Sequence, residues 1–232
     1  MATPITLITG SRKGIGKYLA HHYVKHGHRV IGCSRESCDW QLEGYEHISL
    51  DVADEEAVKG LFRSIRKKYA QLDHLINNAG IAVMNHSLLT PVSTVHRILS
   101  TNVLGTFLFC REAAKIMKTK SFGRIVNFTT IAVPLKLEGE AAYAASKAAV
   151  VSLTEILARE FAEFGITVNA VGPGPIQTDL IRSVPVEKIE RLLQRLAIPR
   201  FCTFEDLTNV IDFFLKSESG FVTGQTIFLG GV

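Results

Sequence analysis

Tyr143 and Lys147 are the two side chains of this sequence best suited to acid–base chemistry. Positions four apart share one face of a helix, so the phenol and the ammonium would project into one site. A cation there lowers the pKa of the phenol towards the working pH, as a general acid or base requires. Because the chain contains five tyrosines, such a pair also arises by chance. The pair therefore indicates a catalytic site only in combination with the elements that surround it.

A glycine-rich turn near the amino terminus could bind the phosphates of a nucleotide. It reads Thr9-Gly10-Ser11-Arg12-Lys13-Gly14-Ile15-Gly16 and separates the apolar run Ile5–Ile8 from a helical pattern over Lys17 to His26. Glycine permits positive φ and close approach of the backbone to a phosphate, and N–H groups at the start of a helix attract an anion. A tight turn without a ligand is the alternative.

The end of the second apolar run bears on which nucleotide would bind. Arg35 stands about 20 residues after the glycines, where a cation meets the 2′-phosphate of NADP and an acidic residue meets the ribose of NAD. Lys13 adds a second cation within the turn, so we predict NADP(H). Glu36 argues the other way, because a shift of one residue would place a carboxylate there and select NAD(H).

Seven apolar runs alternate with helical patterns and predict seven strands. They are Ile5–Ile8, Arg29–Cys33, His47–Leu50, His74–Asn77, Arg124–Phe128, Thr167–Val171 and Thr226–Leu229. Helical patterns follow six of the seven, and strands that are apolar throughout are typical of sheets covered on both faces. The prediction is an α/β fold: one Rossmann domain over 1–232, with a doubly wound, parallel seven-stranded sheet flanked by helices. Ligands of such sheets bind at the carboxyl ends of the strands.

Composition excludes several other classes of protein. The net charge of +4 is mild and no basic run is long enough for a nucleic-acid track. No apolar run has membrane-spanning length, and no signal-type core follows the amino terminus. The four cysteines lack metal-type or redox-type spacing, so we expect no metal site and a cytoplasmic protein.

Small polar residues follow the third and fourth predicted strands. Asp51-Val52 follows one, and Asn78-Ala79-Gly80 follows the other. Such strand ends suit a backbone that lies against a flat ring, although turns without a ligand are as common. Asn102 opens a long apolar helical pattern, where an asparagine is usually a cap or locally hydrogen-bonded.

In this order and spacing, the motifs resemble the short-chain dehydrogenase/reductase family over essentially the whole chain. The later segments Pro173-Gly174-Pro175-Ile176-Gln177-Thr178 and Gly220-Phe221-Val222-Thr223-Gly224-Gln225 fit the same family. The chain is most similar to 3-oxoacyl-carrier-protein reductase-like members. The resemblance implies an NADP(H)-dependent oxidoreductase that transfers hydride between nicotinamide and a ketone or secondary alcohol.

The resemblance also implies a role for each matched residue. Cofactor binding is expected of Gly10, Ser11, Arg12, Lys13, Gly14, Ile15, Gly16, Arg35, Asp51, Val52, Asn78, Ala79, Gly80, Tyr143, Lys147, Pro173, Gly174, Ile176 and Thr178. Tyr143 would protonate the substrate oxygen, while Lys147 would hold the nicotinamide ribose and lower the pKa of Tyr143. Asn102 would position a water that connects Lys147 to solvent.

One catalytic position departs from the family pattern. The family usually has serine thirteen residues before the tyrosine, where this chain has Thr130. Threonine keeps the hydroxyl that would bond the substrate carbonyl, but its methyl group stiffens χ1 and fills space. We expect an active enzyme, and a catalytically silent NADP-binding regulatory protein is the alternative. A sugar-nucleotide epimerase is disfavoured because the chain lacks the extra carboxyl-terminal domain of those enzymes.

The substrate is less well specified than the cofactor. Residues 180–200 would form a lid, with an apolar stripe at helical spacing made of Val186, Ile189, Leu192, Leu193 and Leu196. Such a stripe suits an aliphatic substrate, but a lid helix must bury it in any case. A carrier-protein or CoA thioester is one candidate among small carbonyl substrates. Phe164 and Ser121 stand where carrier-protein reductases have basic residues, and Lys118 and Lys120 are candidate replacements.

Two long helical patterns bear on assembly. Val103–Lys118 and Ala141–Ala162 carry apolar residues around most of their circumference. One sheet face cannot bury helices of this kind completely. Together with the resemblance, this predicts a homotetramer, or at least a homodimer, built on the two helices.

Overall fold

The computed structural model describes residues 3–178, 181 and 184–232. Its seven strands form one parallel sheet in the order β3-β2-β1-β4-β5-β6-β7. The strands are β1 (Ile5–Thr9), β2 (Arg29–Ser34), β3 (Tyr45–Ser49), β4 (His74–Asn77), β5 (Gly123–Phe128), β6 (Ile166–Gly172) and β7 (Thr226–Phe228). The predicted α/β Rossmann fold is confirmed, and all seven predicted strands are present.

Helices cover both faces of the sheet. They are α1 (Gly14–Lys25), α2 (Glu55–Tyr69), α3 (Val92–Leu99), α4 (Gly105–Met117), α5 (Ala132–Leu135), α6 (Ala141–Phe161), α7 (Val186–Leu193) and α8 (Phe204–Leu215). A π-helical turn, Ser100–Leu104, joins α3 to α4. The helical stretch Ala141–Phe164 is long and apolar enough to cross a membrane, which corrects the expectation that no apolar run has that length. A single such helix is weak evidence, since core helices of soluble proteins pass the same test.

Alternation along each strand divides the core in two. Successive side chains point to opposite faces, so Leu7 packs on the side of α2, α4 and α6, whereas Ile8 packs on the side of α1 and α8. Both side chains are fully buried. The two apolar layers fix the helices against the sheet, and the helix and strand ends that matter for chemistry are fixed with them.

The connection between β2 and β3 differs from the prediction. Residues 35–44 contain no helix, so five strands rather than six are followed by helices. A helical crossover between parallel strands needs a dozen or more residues, and this loop is shorter. Trp40 covers the sheet there instead: its ring stacks on Tyr45 at 4.4 Å, and its indole N–H donates to the Arg12 carbonyl at 2.9 Å.

Candidate active site

The glycine-rich turn lies at the carboxyl end of β1 and leads directly into α1. The helix begins at Gly14, three residues before the predicted start, and its N-cap Lys13 makes no side-chain capping bond. A Cβ added to Gly16 would lie 2.2 Å from the Gly10 carbonyl, so only glycine fits there. The helix start is therefore suited to an anion.

The end of β4 supports this turn. The Asn78 side chain donates to the carbonyls of Thr9 at 2.9 Å and Gly10 at 3.2 Å. The Ala79 N–H donates to the Thr9 hydroxyl at 2.9 Å. Asn78 thus holds the turn in shape, and Gly80 beside it is exposed. We call the surface at the carboxyl ends of β1, β4, β5 and β6 the cleft.

Ser11, a predicted cofactor-binding residue, makes its hydrogen bonds within the protein. Its hydroxyl is buried and lies 2.8 Å from the Tyr45 hydroxyl, and its N–H donates to the Cys33 carbonyl at 3.2 Å. The hydroxyl and the N–H of Ser11 are both hydrogen-bonded within the protein. The reason is Gly32 in β2, which lacks a side chain and so lets the Tyr45 ring reach across to the turn.

Tyr143, on α6, and Thr130, just after β5, lie at the same end of the sheet. The Thr130 hydroxyl accepts the Ala132 N–H at 3.3 Å. Burial raises the pKa of Tyr143 to about 12, hydrogen bonding from Thr130 lowers it, and the Glu140 carboxylate raises it. The phenol is therefore a protonated donor at neutral pH.

Lys147 lies one turn further along α6 and is buried. Its ammonium donates to the Phe128 carbonyl at 2.7 Å, and burial lowers its pKa to about 8. The expectation that Lys147 lowers the pKa of Tyr143 is not met, because burial dominates at both groups. A Cβ added to Gly80 would lie 3.4 Å from the Lys147 ammonium, which places Lys147 beside the cleft wall.

Asn102 lies in the π-helical turn, a feature that the sequence did not predict. Its side chain accepts the Ile81 N–H at 2.9 Å and donates to the Ile81 carbonyl at 3.0 Å and to the Ser146 hydroxyl at 2.9 Å. The Ser146 hydroxyl donates in turn to the Tyr143 carbonyl at 2.7 Å. Asn102 therefore joins the loop after β4 to the catalytic helix.

The remaining cofactor candidates lie around the same edge of the sheet. Arg35 and Asp51 are exposed, whereas Val52 is buried against Gly105. A Cβ added to Gly14 would lie 3.8 Å from the Thr178 methyl, so the glycine turn faces the loop after β6. That loop contains Pro173, Gly174, the buried Ile176 and Thr178.

The lid is helical only in part. The predicted first residue, Leu180, lies outside the described residues, and α7 covers 186–193. Arg195 donates to the Leu135 carbonyl at 2.7 Å, which ties the lid to the segment before the catalytic helix. Of the apolar stripe, Leu196 is buried but Val186 is 65% exposed. The stripe is therefore only partly covered in the single chain.

Lys118 and Lys120 do not lie beside the cleft. Both precede β5 at the amino ends of the strands, the edge opposite Tyr143. The Lys120 ammonium donates to the Gln71 side chain, and that of Lys118 lies 5.8 Å from the centre of the Phe164 ring. Within one chain they cannot replace basic residues that border the substrate cleft.

Sequence reasoning missed one charged group at the site, Glu140, and the ion pair that Glu36 forms. Glu140 precedes Tyr143 by one helical turn and is partly buried, and burial raises its pKa. Glu36 forms an ion pair with Arg12, at 2.7 Å between Oε2 and Nη2. The proximity of Glu140 could have been inferred from its spacing to Tyr143. The pair of Arg12 and Glu36 depends on a tertiary contact between two loops.

Known proteins resemble this chain over nearly its full length. A family model described as Enoyl-(Acyl carrier protein) reductase matches residues 10–231. The 3-oxoacyl-[acyl-carrier-protein] reductase FabG of Staphylococcus aureus is 31% identical, with 99% of this chain and 97% of the relative covered. That of Escherichia coli is 29% identical, with 98% and 96% covered.

A solved structure has a similar fold over nearly the full length of this chain. ElxO with NADP bound superposes with a TM-score of 0.89 and is 31% identical, with 98% of this chain and 97% of that chain covered. A variant of ElxO with NADPH bound gives the same values. With the glycine turn, Thr130, Tyr143 and Lys147 at one sheet edge, this chain belongs to the short-chain dehydrogenase/reductase family.

Proposed function

We propose that this chain is an NADP(H)-dependent oxidoreductase that transfers hydride between nicotinamide and a ketone or secondary alcohol. The observation that carries the proposal is the placement of Tyr143 and the buried Lys147 one turn apart on α6, with Thr130 just after the carboxyl end of β5. These three side chains supply a hydroxyl for the substrate oxygen, a proton donor and a cation. They are placed by β5 and α6, which are rigid elements, and this suits a catalytic geometry.

The described residues fit NADP(H) as the cofactor. Gly14, Ile15 and Gly16 would hold the pyrophosphate at the uncapped start of α1. Arg12, Lys13 and Arg35 are the cations that would recognise the 2′-phosphate, and Lys147, beside Gly80, would hold the nicotinamide ribose. NADP(H) is the cofactor of this chain, as the NADP and NADPH bound to ElxO, 31% identical to this chain, support.

The chain's own groups orient the substrate and supply the proton. Bound NADPH supplies the hydride. The Thr130 hydroxyl donates a hydrogen bond to the substrate carbonyl and fixes its direction. The Tyr143 phenol then gives its proton to the substrate oxygen as negative charge develops there. Lys147, whose ammonium is held by the Phe128 carbonyl, would hold the nicotinamide ribose, and Asn102 keeps α6 in register with the loop after β4.

A 3-oxoacyl thioester is the substrate to test first. The relatives from Staphylococcus aureus and Escherichia coli are named as 3-oxoacyl-[acyl-carrier-protein] reductases. The partly covered stripe on α7 offers apolar surface to an acyl chain. The assay follows NADPH oxidation with an acetoacetyl thioester and with simple ketones, with NADH in parallel. Turnover of the thioester with NADPH supports the proposal, and turnover of ketones alone contradicts the thioester.

The catalytically silent protein is the competing proposal. It is motivated by Thr130 in place of serine, but threonine keeps the hydroxyl, and hydrogen bonding from it lowers the pKa of Tyr143. Lys147 and Asn102 are also present and held by several hydrogen bonds. NADPH binding without turnover of any carbonyl in a broad panel would favour the silent protein.

We also propose a homodimer or homotetramer located in the cytoplasm. Phe107 on α4 is 37% exposed and Ile156 on α6 is 51% exposed, so both helices present apolar surface to a second copy. All four cysteines are unpaired, which suits a reducing compartment. Light scattering tests the assembly, and a monomer at all concentrations would contradict it.

A further inference from the structure

The last residue of β5 and the residue after it hold Lys147 at both ends. The Lys147 ammonium donates to the Phe128 carbonyl at 2.7 Å, and the Thr129 hydroxyl donates to the backbone carbonyl of Lys147 at 3.1 Å. Both bonds are buried, and Thr129 itself is 2% exposed. The side chain and the backbone of Lys147 are therefore tied to adjacent residues of one strand end.

The strand end holds Thr129 rigidly. Its N–H donates to the Val171 carbonyl at 2.9 Å, so the pairing of β5 with β6 extends to this residue. A Cβ added to Gly172 would lie 3.1 Å from the Thr129 methyl, so the glycine leaves room for the branched side chain. A β-branched side chain has few χ1 states. The Thr129 hydroxyl is therefore a fixed donor to the backbone of α6.

The bond from Thr129 is additional to those that form the helix. Lys147 lies inside α6, where a carbonyl accepts the N–H four residues later, and a second lone pair is left for the hydroxyl. A comparable bond lies about two turns further on, where the Asn127 side chain donates to the Thr154 hydroxyl at 3.0 Å. Asn127 and Thr129 lie on the same face of the strand, since alternate residues do. Apolar contacts are non-directional, whereas these two bonds fix the position of α6 along β5.

We propose that Thr129 is a positioning residue that sets where the Lys147 ammonium lies in the active site. The inference rests on the proposed function, in which Lys147 holds the nicotinamide ribose. Thr130 presents its hydroxyl to the substrate, whereas the neighbouring Thr129 hydroxyl is bonded to the helix. Without that bond, Lys147 loses one of its two ties to β5, and its ammonium gains freedom. A ligand then has to order the ammonium, which weakens binding.

The first measurement needs no ligand. NMR of isotope-labelled lysine side chains follows the titration of Lys147, whose pKa burial lowers to about 8, and Lys147→Met assigns the signal. Thr129→Val keeps the shape of the side chain and removes the hydroxyl. The released ammonium gains solvent, so the pKa should rise by about 1 towards its ordinary value of 10.5. Thr129→Ala, which also lacks the hydroxyl, should give the same rise, and Thr129→Ser should keep the wild-type pKa.

The second measurement is of cofactor binding and turnover. In Thr129→Val, we expect the Kd for NADPH to rise about fivefold and kcat for carbonyl reduction to fall about tenfold, because a displaced ammonium weakens both. Thr129→Ser should restore both values to within about twofold of the wild type. In Lys147→Met there is no ammonium to place, so adding Thr129→Val should change the Kd by less than about twofold.

Thr208→Val is the matched control. Thr208 is buried on α8, in the opposite helix layer, and its hydroxyl donates to the Phe204 carbonyl at 3.1 Å. The control loses the same kind of bond and should leave the pKa of Lys147 and the Kd for NADPH unchanged. An unmoved pKa or an unchanged Kd in Thr129→Val overturns the inference, as does an equal effect in Thr208→Val. Wild-type protein that binds neither NADPH nor NADH instead overturns the proposed function, and the titration of Lys147 still decides the inference.

Discussion

Two groups near Tyr143 shift its pKa in opposite directions. Burial raises the pKa to about 12, the Thr130 hydroxyl lowers it, and the Glu140 carboxylate raises it. A raised pKa keeps the phenol protonated well above neutral pH, which suits proton donation during carbonyl reduction. Alcohol oxidation needs the phenolate as acceptor and is therefore favoured only at alkaline pH.

Glu140→Gln should shift the pH profile of alcohol oxidation to lower pH. Removing the carboxylate removes a charge that disfavours the phenolate, so the pKa of Tyr143 falls. The measurement is kcat/KM for oxidation as a function of pH. Glu138→Gln, an exposed residue of the same loop, is the matched control. A profile that does not move, or moves equally in both variants, would contradict the role of Glu140.

Variants of Thr130 separate its hydroxyl from its methyl group. Thr130→Val keeps the shape and removes the donor, so kcat for reduction should fall about 100-fold, as after loss of a donor to a developing oxyanion. Thr130→Ser keeps the donor and should be as active as the wild type or more active. Steady-state kinetics check both. A large loss in Thr130→Ser would show that the methyl group, not the hydroxyl, matters.

At the scale of elements, the strands were predictable and two connections were not. Continuous apolar runs located β4 to the residue and the other strands within two residues. Residues 35–44 were not predictable as an extended loop, since the anchoring of Trp40 on Tyr45 and Arg12 is a tertiary contact. The π-helical turn at Asn102 has no periodic signature either, because one extra residue per turn hardly changes an apolar helical pattern.

The candidate site was predictable where motifs are local in sequence. Tyr143 and Lys147 share a helix, and the glycine turn is continuous, so spacing was sufficient. The orientation of Ser11 and the ion pair of Glu36 depend on neighbouring strands, which spacing does not encode. The same reason applies to Lys118 and Lys120. They lie far from the cleft because they precede β5, at the amino ends of the strands.

The start of α1 is the element that the cofactor needs most. Gly16→Ala should abolish nucleotide binding and lower stability, because its Cβ would lie 2.2 Å from the Gly10 carbonyl. Gly60→Ala on α2 is the matched control, since its Cβ meets only Arg63 Nη2, at 3.8 Å. The control should raise the free energy of unfolding by about 0.5–1 kcal/mol and keep nucleotide binding. Calorimetry and thermal unfolding measure both, and tight NADP+ binding by Gly16→Ala would contradict the phosphate site.

At the scale of the whole molecule, the carboxyl ends and the amino ends of the parallel strands have different functions. The cleft lies at the carboxyl ends of the strands, while buried His74 lies at the amino end of β4. Its Nδ1 lies 3.1 Å from the Thr6 hydroxyl, and burial, helped by His28 and Arg124, lowers its pKa to about 3. Protonation of His74 therefore affects stability rather than the reaction.

The pH dependence of stability should report His74. Between about pH 6.5 and its folded-state pKa, the unfolded chain binds a proton that the folded chain does not, so stability is lost as pH falls below about 6.5. His74→Asn should flatten this loss by up to about 1.4 kcal/mol per pH unit. Urea unfolding from about pH 4.5 to 7.5 measures it. The exposed His96→Asn is the control, and an equal slope in wild type and His74→Asn would contradict the assignment.

The most direct test of the account is the rate of NADPH oxidation by Tyr143→Phe with whichever carbonyl the wild type reduces best. Phenylalanine keeps the ring and removes the only proton that we assign to the substrate oxygen. The account predicts that kcat falls by at least about 100-fold while the Kd for NADPH stays within about threefold of the wild type. A variant that binds NADPH and retains wild-type kcat would contradict Tyr143 as the proton donor.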